Sequence, residues 1–474
     1  MYKELKDLSK SDYYPFHMPG HKRQPSKSIF DAAFSFDITE IDDFDNMHHP
    51  DGIIKKLQEK MAALFHSEKA DILINGSSSG ILTAISAAVK RNGKIIMARN
   101  SHKSAYNAAF LRNLETVYIY PGYINEYAMN GGIDPRDIND AIENNPDAEA
   151  VFITSPTYEG MLSDIKSIAD ICHENNIPLI VDAAHGAHFG INEEFDGIYG
   201  IRTAAEYADV TIISLHKTLP TFTQTAALLY SGNIIDRDLL REFYSIYQTS
   251  SPSYLFMAGI DNCIKLLEDE GKDRFSKLIK NLRDIRGEKY EHIKIIGDEV
   301  KGRENILAFD GTKLCIASDK MTGKELYDIL RSRYHLQAEM AAMDYCLLMT
   351  GIMDTDDAFK RLKAALREID NEISAGKIGN VKSTIKRESG KRFLKPGIAV
   401  RIQEALESKS LKYSFEKAEG KTAASWVYAY PPDIPLIVPG EIVSRDLIEE
   451  ISNMQNEGIN IIGAAEGEFR ILAR

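Results

Sequence analysis

Between residues 70 and 230 short apolar, β-branched runs alternate with helical patterns, and nothing else in the chain restricts the fold so tightly. The strand-like runs fall at 71–74, 94–98, 116–120, 150–154, 178–181, 210–213 and 226–230. Amphipathic stretches such as 80–90 and 134–144 lie between them. The second of these opens with Asp134 and Pro135, residue types that favour a helix start. Strands that are apolar throughout, rather than alternating, belong in a sheet covered on both faces. The intervening helices supply that cover. The sequence therefore predicts an α/β chain built on a seven-stranded, mostly parallel sheet.

The remainder divides around that sheet. At 474 residues the chain has room for several domains. Residues 1–60 are rich in Pro, His and Asp with little periodicity, as an arm and site-bordering loops would be. The sheet-bearing major domain is expected over 61–300, ending in a long helical stretch at 254–290. Shorter elements suggest a small α/β domain over 301–375 and a C-terminal α/β domain over 376–474. The latter has helices at 396–407 and 444–457, with the segment 425–430 and a proline-rich stretch between them, and the charged stretch 371–394 reads as an exposed connection.

Composition narrows the function classes. A net charge of −13 argues against general nucleic-acid binding, which needs a basic face. It leaves room for an acidic pocket that takes a cation. Cys172, Cys263, Cys315 and Cys346 lie far apart with no CxxC pair, the pattern of neither a zinc site nor a disulfide framework. Reduced thiols fit a cytoplasmic protein. The opening MYKELKDLSKSDYYPF lacks the apolar core of a signal peptide, and no apolar stretch approaches a membrane span.

Ligands of parallel sheets collect at the carboxyl ends of the strands, and three polar clusters fall there. Asn75-Gly76-Ser77-Ser78-Ser79-Gly80 follows the first strand; hydroxyls and amides at a helix N-terminus suit a phosphate. An ordinary turn with a serine cap explains it equally well. Asp182 ends the strand 178–181 and leads into Ala183-Ala184-His185-Gly186-Ala187-His188. A carboxylate leaving a buried strand needs a partner, and a protonated pyridine nitrogen is one. With His185 and His188 it could also bind a metal, but no further ligand has matching spacing. Ser214-Leu215-His216-Lys217-Thr218-Leu219 follows the strand 210–213. A lysine there is placed to form a Schiff base with a carbonyl cofactor such as pyridoxal phosphate (PLP), with Ser214 and His216 near its phosphate and Thr218 capping the turn. Arg99-Asn100-Ser101-His102-Lys103-Ser104 adds an imidazole able to stack on a flat ring, and Thr154 to Gly160 forms a turn a ligand could touch. Taken singly each is explained by a cap or turn. Their shared place at strand ends is not.

Several stretches also resemble one known family: FHMPGHKR (16–23), FDITEIDDFDNMHHPDG (36–52), NGSSSG (75–80), RNSHKS (99–104), SPTYEG (155–160), VDAAHGAH (181–188), SLHKTLPTFTQTA (214–226), TSSPSYL (249–255) and YPPDIPLIVPGE (430–441). The resemblance is to the Orn/Lys/Arg decarboxylases, fold-type I PLP enzymes, in their compact Gram-positive form. It implies that Lys217 carries the cofactor imine, Asp182 pairs with the pyridine nitrogen and Ala184 packs under the ring. It further implies that His185 lies near the phenolic oxygen, that His102 stacks on the other ring face, and that Ser77, Ser78, Ser214 and His216 hold the phosphate. Ser79 is counted among the cofactor contacts. The implied assembly is a homodimer or larger, with 250–254 reaching the partner's phosphate and the HMPGHK loop bordering the cleft.

The implied reaction removes CO₂ from arginine, lysine or ornithine and leaves the amine. Its cationic substrate needs a carboxylate, for which Asp42, Asp43 and Asp45 in the N-terminal loop and Glu441 in the PGE turn are candidates; Glu441 and Asp43 are preferred. The chain departs from the family pattern at Ala183, where Glu is frequent, at Ser77, where Thr is frequent, and at Asp433, where Gly is usual. A transaminase or lyase is the nearest alternative. A transaminase wants a late arginine for the α-carboxylate, for which Arg401 and Arg470 stand available. A non-catalytic PLP-binding regulator is the other.

Overall fold

The computed structural model describes residues 1–24, 27–379, 395–429, 434–464 and 467–473. Its central sheet contains β1 (Lys69–Leu73), β2 (Lys94–Ala98), β3 (Glu115–Ile119), β4 (Ala148–Thr154), β5 (Leu179–Asp182), β6 (Val210–Ile213) and β7 (Ala226–Tyr230). The spatial order is β1-β7-β6-β5-β4-β2-β3. Only β7 runs against the others, pairing antiparallel with both β1 and β6. The expected seven-stranded, mostly parallel sheet is present.

Register decides what the sheet presents. Thr154 of β4 lies beside Asp182 of β5, which lies beside Ile212 of β6. The carboxyl ends of these three strands are therefore level, and the residues after them share one edge. Because β7 is reversed, its amino end arrives at that same edge, bringing Thr225 to His216.

Two helices begin at this edge. Helix α1 (Gly76–Ala88) starts four residues earlier than its apolar pattern predicts. Ser79 donates its hydroxyl hydrogen to the Gly76 carbonyl and accepts from the Gln248 side chain, which satisfies a serine inside a helix. Gln248 Oε1 also accepts from the amides of Ile74 and Asn75. The serine run is thus the first helical turn rather than a loop. Helix α2 (Lys103–Arg112) is capped by His102, whose Nδ1 accepts from the Ser104 amide at 3.2 Å.

Helix α3 (Tyr254–Arg286) spans 33 residues, about 50 Å at 1.5 Å per residue. It leads into a smaller antiparallel sheet of Ile293–Ile296, Lys313–Ser318, Tyr345–Met349 and Met340–Ala341, in that spatial order. Arg286, at the end of α3, donates to the carbonyls of Ile296, Gly311 and Lys313 and so fixes this sheet to the helix.

Beyond it, Val427–Ala429 lies between Pro435–Ile437 and Ile461–Ile462, Ser410–Ser414 pairs with Glu468–Leu472, and these strands share a core with helix Arg445–Asn456. The helix expected over 396–407 occupies only Ile402–Glu407, because Ala399 and Ile442 exchange backbone hydrogen bonds with Gly440 and Gly397 instead. Most of the expected connection, 380–394, and Asp433 lie outside the described residues. Among the described residues no helix is long and apolar enough to cross a membrane, and no group of His, Cys, Asp and Glu is arranged to hold a metal.

Candidate active site

A cavity of about 880 Å³ opens at the strand-end edge. Gly76, Ser77, Ser78, His102, Asp182, Ala184, His185, Ser214, His216 and Lys217 all line it, so turns separated by up to 140 residues in sequence meet at one place. Lys217 sits on the single helical turn Leu215–Thr218 that follows β6. Its Nζ lies 3.1 Å from His185 Nε2. Burial lowers the Lys217 pKa, against the pull of Asp182 and Glu339.

Asp182 is buried and accepts from the Ala184 amide at 3.1 Å. Burial raises its pKa, with Lys217 and the amide opposing. A carboxylate in that position gains most from a fixed cation across the cavity. His102 is pushed down to about 4 by burial and by the nearby Lys217 and Lys103 charges. Since its Nδ1 accepts from the Ser104 amide, the ring is neutral with its proton on Nε2. A neutral imidazole can lie flat against an aromatic ring without carrying a charge into the cavity. His216 commits Nδ1 to the Thr225 carbonyl at 2.9 Å, which leaves Nε2 for the cavity.

The residues present fit PLP. The wall holds polar atoms that no protein group satisfies, namely Asn100 Oδ1, Thr154 Oγ1 and Ser214 Oγ. Unsatisfied buried polar atoms are costly and point to a ligand that completes them. The first turn of α1 adds the unpaired amides expected at a helix N-terminus, a natural seat for a phosphate. The wall also carries a buried carboxylate, an imidazole and a lysine.

Three sequence candidates lie elsewhere. Ser79 is buried behind the cavity wall, held by Gln248 and Gly76. Helical geometry turns it inward, whereas Ser77 and Ser78 face the cavity. Glu441 is 1% exposed, and both carboxylate oxygens receive the Arg99 guanidinium at 3.0 Å. One of them also accepts from the Val438 amide. It anchors the C-terminal domain to the strand-end turn and presents no free oxygen to a substrate. Asp43 is exposed on the N-terminal loop with φ 70° and is not part of the cavity wall. Its neighbour Asp45 accepts from the amides of Asp51, Gly52, Ile54 and Lys55 and braces the following helix. The arginines suited to a transaminase are also occupied: Arg401 donates to the Asn113 carbonyl and pairs with Glu115, and Arg470 donates to Ser410.

The small sheet contributes residues that the sequence did not single out. Glu339 and Met349 line the cavity, and the Tyr158 hydroxyl donates to Glu339. Lys313, fully buried, places Nζ 3.1 Å from His185 Nδ1. Its signal in the sequence is a lysine just before the apolar run Leu314–Ala317, after Asp310-Gly311-Thr312.

Comparison with known proteins gives a consistent relationship. Residues 1–316 match the Orn/Lys/Arg decarboxylase major domain, and 390–457 match the C-terminal domain of the same family. The arginine decarboxylase of Bacillus subtilis is 28% identical over 100% of this chain and 96% of its own length. The uncharacterized protein YaaO of the same organism is 31% identical over 96% of this chain and 94% of its own. The lysine decarboxylase LdcF of Francisella novicida shares the fold, with a TM-score of 0.83 at 18% identity, covering 100% of this chain and 81% of that one.

Proposed function

The chain belongs to the Orn/Lys/Arg decarboxylase family, and from that premise we propose that it is a PLP-dependent decarboxylase of a basic amino acid. The observation that carries the reading is the convergence of Lys217, Asp182 and His102 on one cavity whose wall also holds unsatisfied hydroxyls. PLP, when bound, supplies a carbonyl for an amine to capture and a ring that accepts the electron pair left by departing CO₂. Lys217 provides the capturing amine, and burial lowers its pKa. Asp182 holds the proton at the pyridine nitrogen, because a carboxylate beside it favours the charged form. His102 covers one ring face and Ala184 the other. The amides of the first turn of α1 with Ser77, Ser78, Ser214 and His216 take the phosphate.

Glu339 receives the cationic end of the substrate. It is a carboxylate at the cavity wall, and Tyr158 orients it. Arginine, lysine and ornithine share that cation, and the full-length arginine decarboxylase relative makes arginine the first to try. The working form is a cytoplasmic homodimer or larger assembly. Purified protein given PLP turns yellow, and borohydride fixes the cofactor on Lys217, located by peptide mass spectrometry. A protein that stays colourless with added PLP contradicts the reading.

A further inference from the structure

His185 touches two lysines at once. Its Nε2 is 3.1 Å from Lys217 Nζ, and its Nδ1 is 3.1 Å from Lys313 Nζ. Burial, followed by the charges of Lys313, Lys217, His102 and His188, holds its pKa well below the ordinary imidazole value, so the ring is neutral. A neutral imidazole has one N–H and one bare nitrogen, while an ammonium only donates. Two ammonium groups would therefore meet one acceptor and one donor. Both hydrogen bonds can form together only when one of the two amines is uncharged.

The accounting allows two arrangements. In one, the Lys313 ammonium donates to Nδ1 and Nε2–H donates to an uncharged Lys217 amine. In the other, the Lys217 ammonium donates to Nε2 and Nδ1–H donates to an uncharged Lys313. They interconvert when one N–H bond breaks at each lysine-facing donor and one forms at each acceptor, with no change in net charge.

Neighbouring groups favour the first arrangement. Asp310, fully buried, accepts from the Thr312 amide and hydroxyl and pairs with His188 at 3.2 Å. Burial works to raise its pKa, but His188, Lys313 and Thr312 together lower it, leaving an anion beside Lys313. Lys313 is also faced by Glu339, Cys315 and Lys217. Lys217 is faced by Asp182 and Glu339, and Asp182 is the group assigned above to the pyridine nitrogen. The Tyr158 ring packs on His185 with centroids 4.5 Å apart. Room for the Lys313 stem comes from Gly160, at φ +97°, where a Cβ would lie 2.7 Å from Lys313 Cγ.

We propose that Lys217, His185 and Lys313 form a proton wire in which Lys313 is the seat for the proton withdrawn from Lys217. Lys313 is a positioning residue acting through His185, and its effect is to keep Lys217 ready to capture a carbonyl. The inference rests on the PLP reading of the site.

The test follows imine formation in apo-protein mixed with PLP, by absorbance across a pH series, in wild type, K313M, K313R and H185Q. The pH midpoint reports the uncharged fraction of Lys217. K313M raises the midpoint by about one unit or more, a tenfold change in proton affinity, while H185Q leaves the midpoint near wild type and slows imine formation about tenfold or more. A glutamine can bond both lysines but cannot pass a proton between them. K313R keeps the wild-type midpoint but slows imine formation as H185Q does, because an arginine donates to Nδ1 yet neither takes up nor releases a proton. Imine formation as fast in H185Q and K313R as in wild type, or a midpoint unchanged in K313M, overturns the wire. Should K313M fail to fold, H185Q decides alone, since it retains both lysines. A wild type that forms no imine at all defeats the PLP reading; ready uptake with K313M at the wild-type midpoint, or with H185Q as fast as wild type, defeats only the wire.

Discussion

Two buried polar clusters flank the strand ends, and they are built in opposite ways. Arg99 and Glu441 are 2% and 1% exposed and form a closed set. The guanidinium donates to both carboxylate oxygens and to the carbonyls of Pro435 and Leu436, and the Val438 amide donates to the carboxylate. Burial opposes the charge on Arg99, but Glu441 more than offsets it and raises its pKa. Lys217, His185 and Lys313 are arranged the other way. Donors outnumber acceptors there, both lysine pKa values are lowered, chiefly by burial, and nearby hydroxyls have no partner. A satisfied cluster fixes geometry; an unsatisfied one is poised for a ligand or a proton.

That contrast is open to direct attack. Lys217→Ala should reduce CO₂ release by at least about a thousandfold, since the capturing amine is gone. It should leave thermal stability equal or higher, because a poorly paired buried amine is removed. Arg99→Met or Glu441→Leu should do the reverse: each strands a buried charge and costs about 3–5 kcal/mol in denaturant unfolding, and the double substitution should recover most of the loss. Stability of the apo-protein should fall with pH. His102 titrates near 6.5 when unfolded but about 4 when folded, so the unfolded chain binds the extra proton between those values. The penalty begins below pH 6.5 and is complete near pH 4, of order 3 kcal/mol, and His102→Phe should flatten it.

Smaller effects test the substrate assignment. Glu339→Gln should raise KM for a basic amino acid about tenfold while leaving PLP uptake unchanged, as loss of one charged contact does. Asp43→Asn, at an exposed position, should change stability by less than about 0.5 kcal/mol and leave KM unaltered. An Asp43 effect larger than that of Glu339 would move the cationic subsite to the N-terminal loop.

The sheet was legible because its strands announce themselves locally. β2, β6 and β7 start and stop where the apolar runs do, and the others differ by one or two residues. Lys217, Asp182 and His102 were legible because the carboxyl end of a parallel strand is a place that sequence can locate. Contacts made across hundreds of residues were not. Glu441 stood out in its motif, yet its partner Arg99 lies 342 positions away. Lys313 lies in the antiparallel sheet and Glu339 just before its strand Met340–Ala341, where strand position carries no rule about ligands. Ser79 was misread because a serine-rich turn looks like a loop until Gln248 is seen to satisfy it inside a helix.

The central claim is that this cavity removes the carboxyl group of a basic amino acid at Lys217. Release of labelled CO₂ from carboxyl-labelled arginine, lysine and ornithine by the PLP-loaded protein, with the amine product measured alongside, tests it most directly. The account predicts CO₂ and amine in equal amounts from at least one of the three, and none from Lys217→Ala. A wild-type protein that binds PLP yet releases no CO₂ from any of them, or that yields a keto acid in place of the amine, would contradict it.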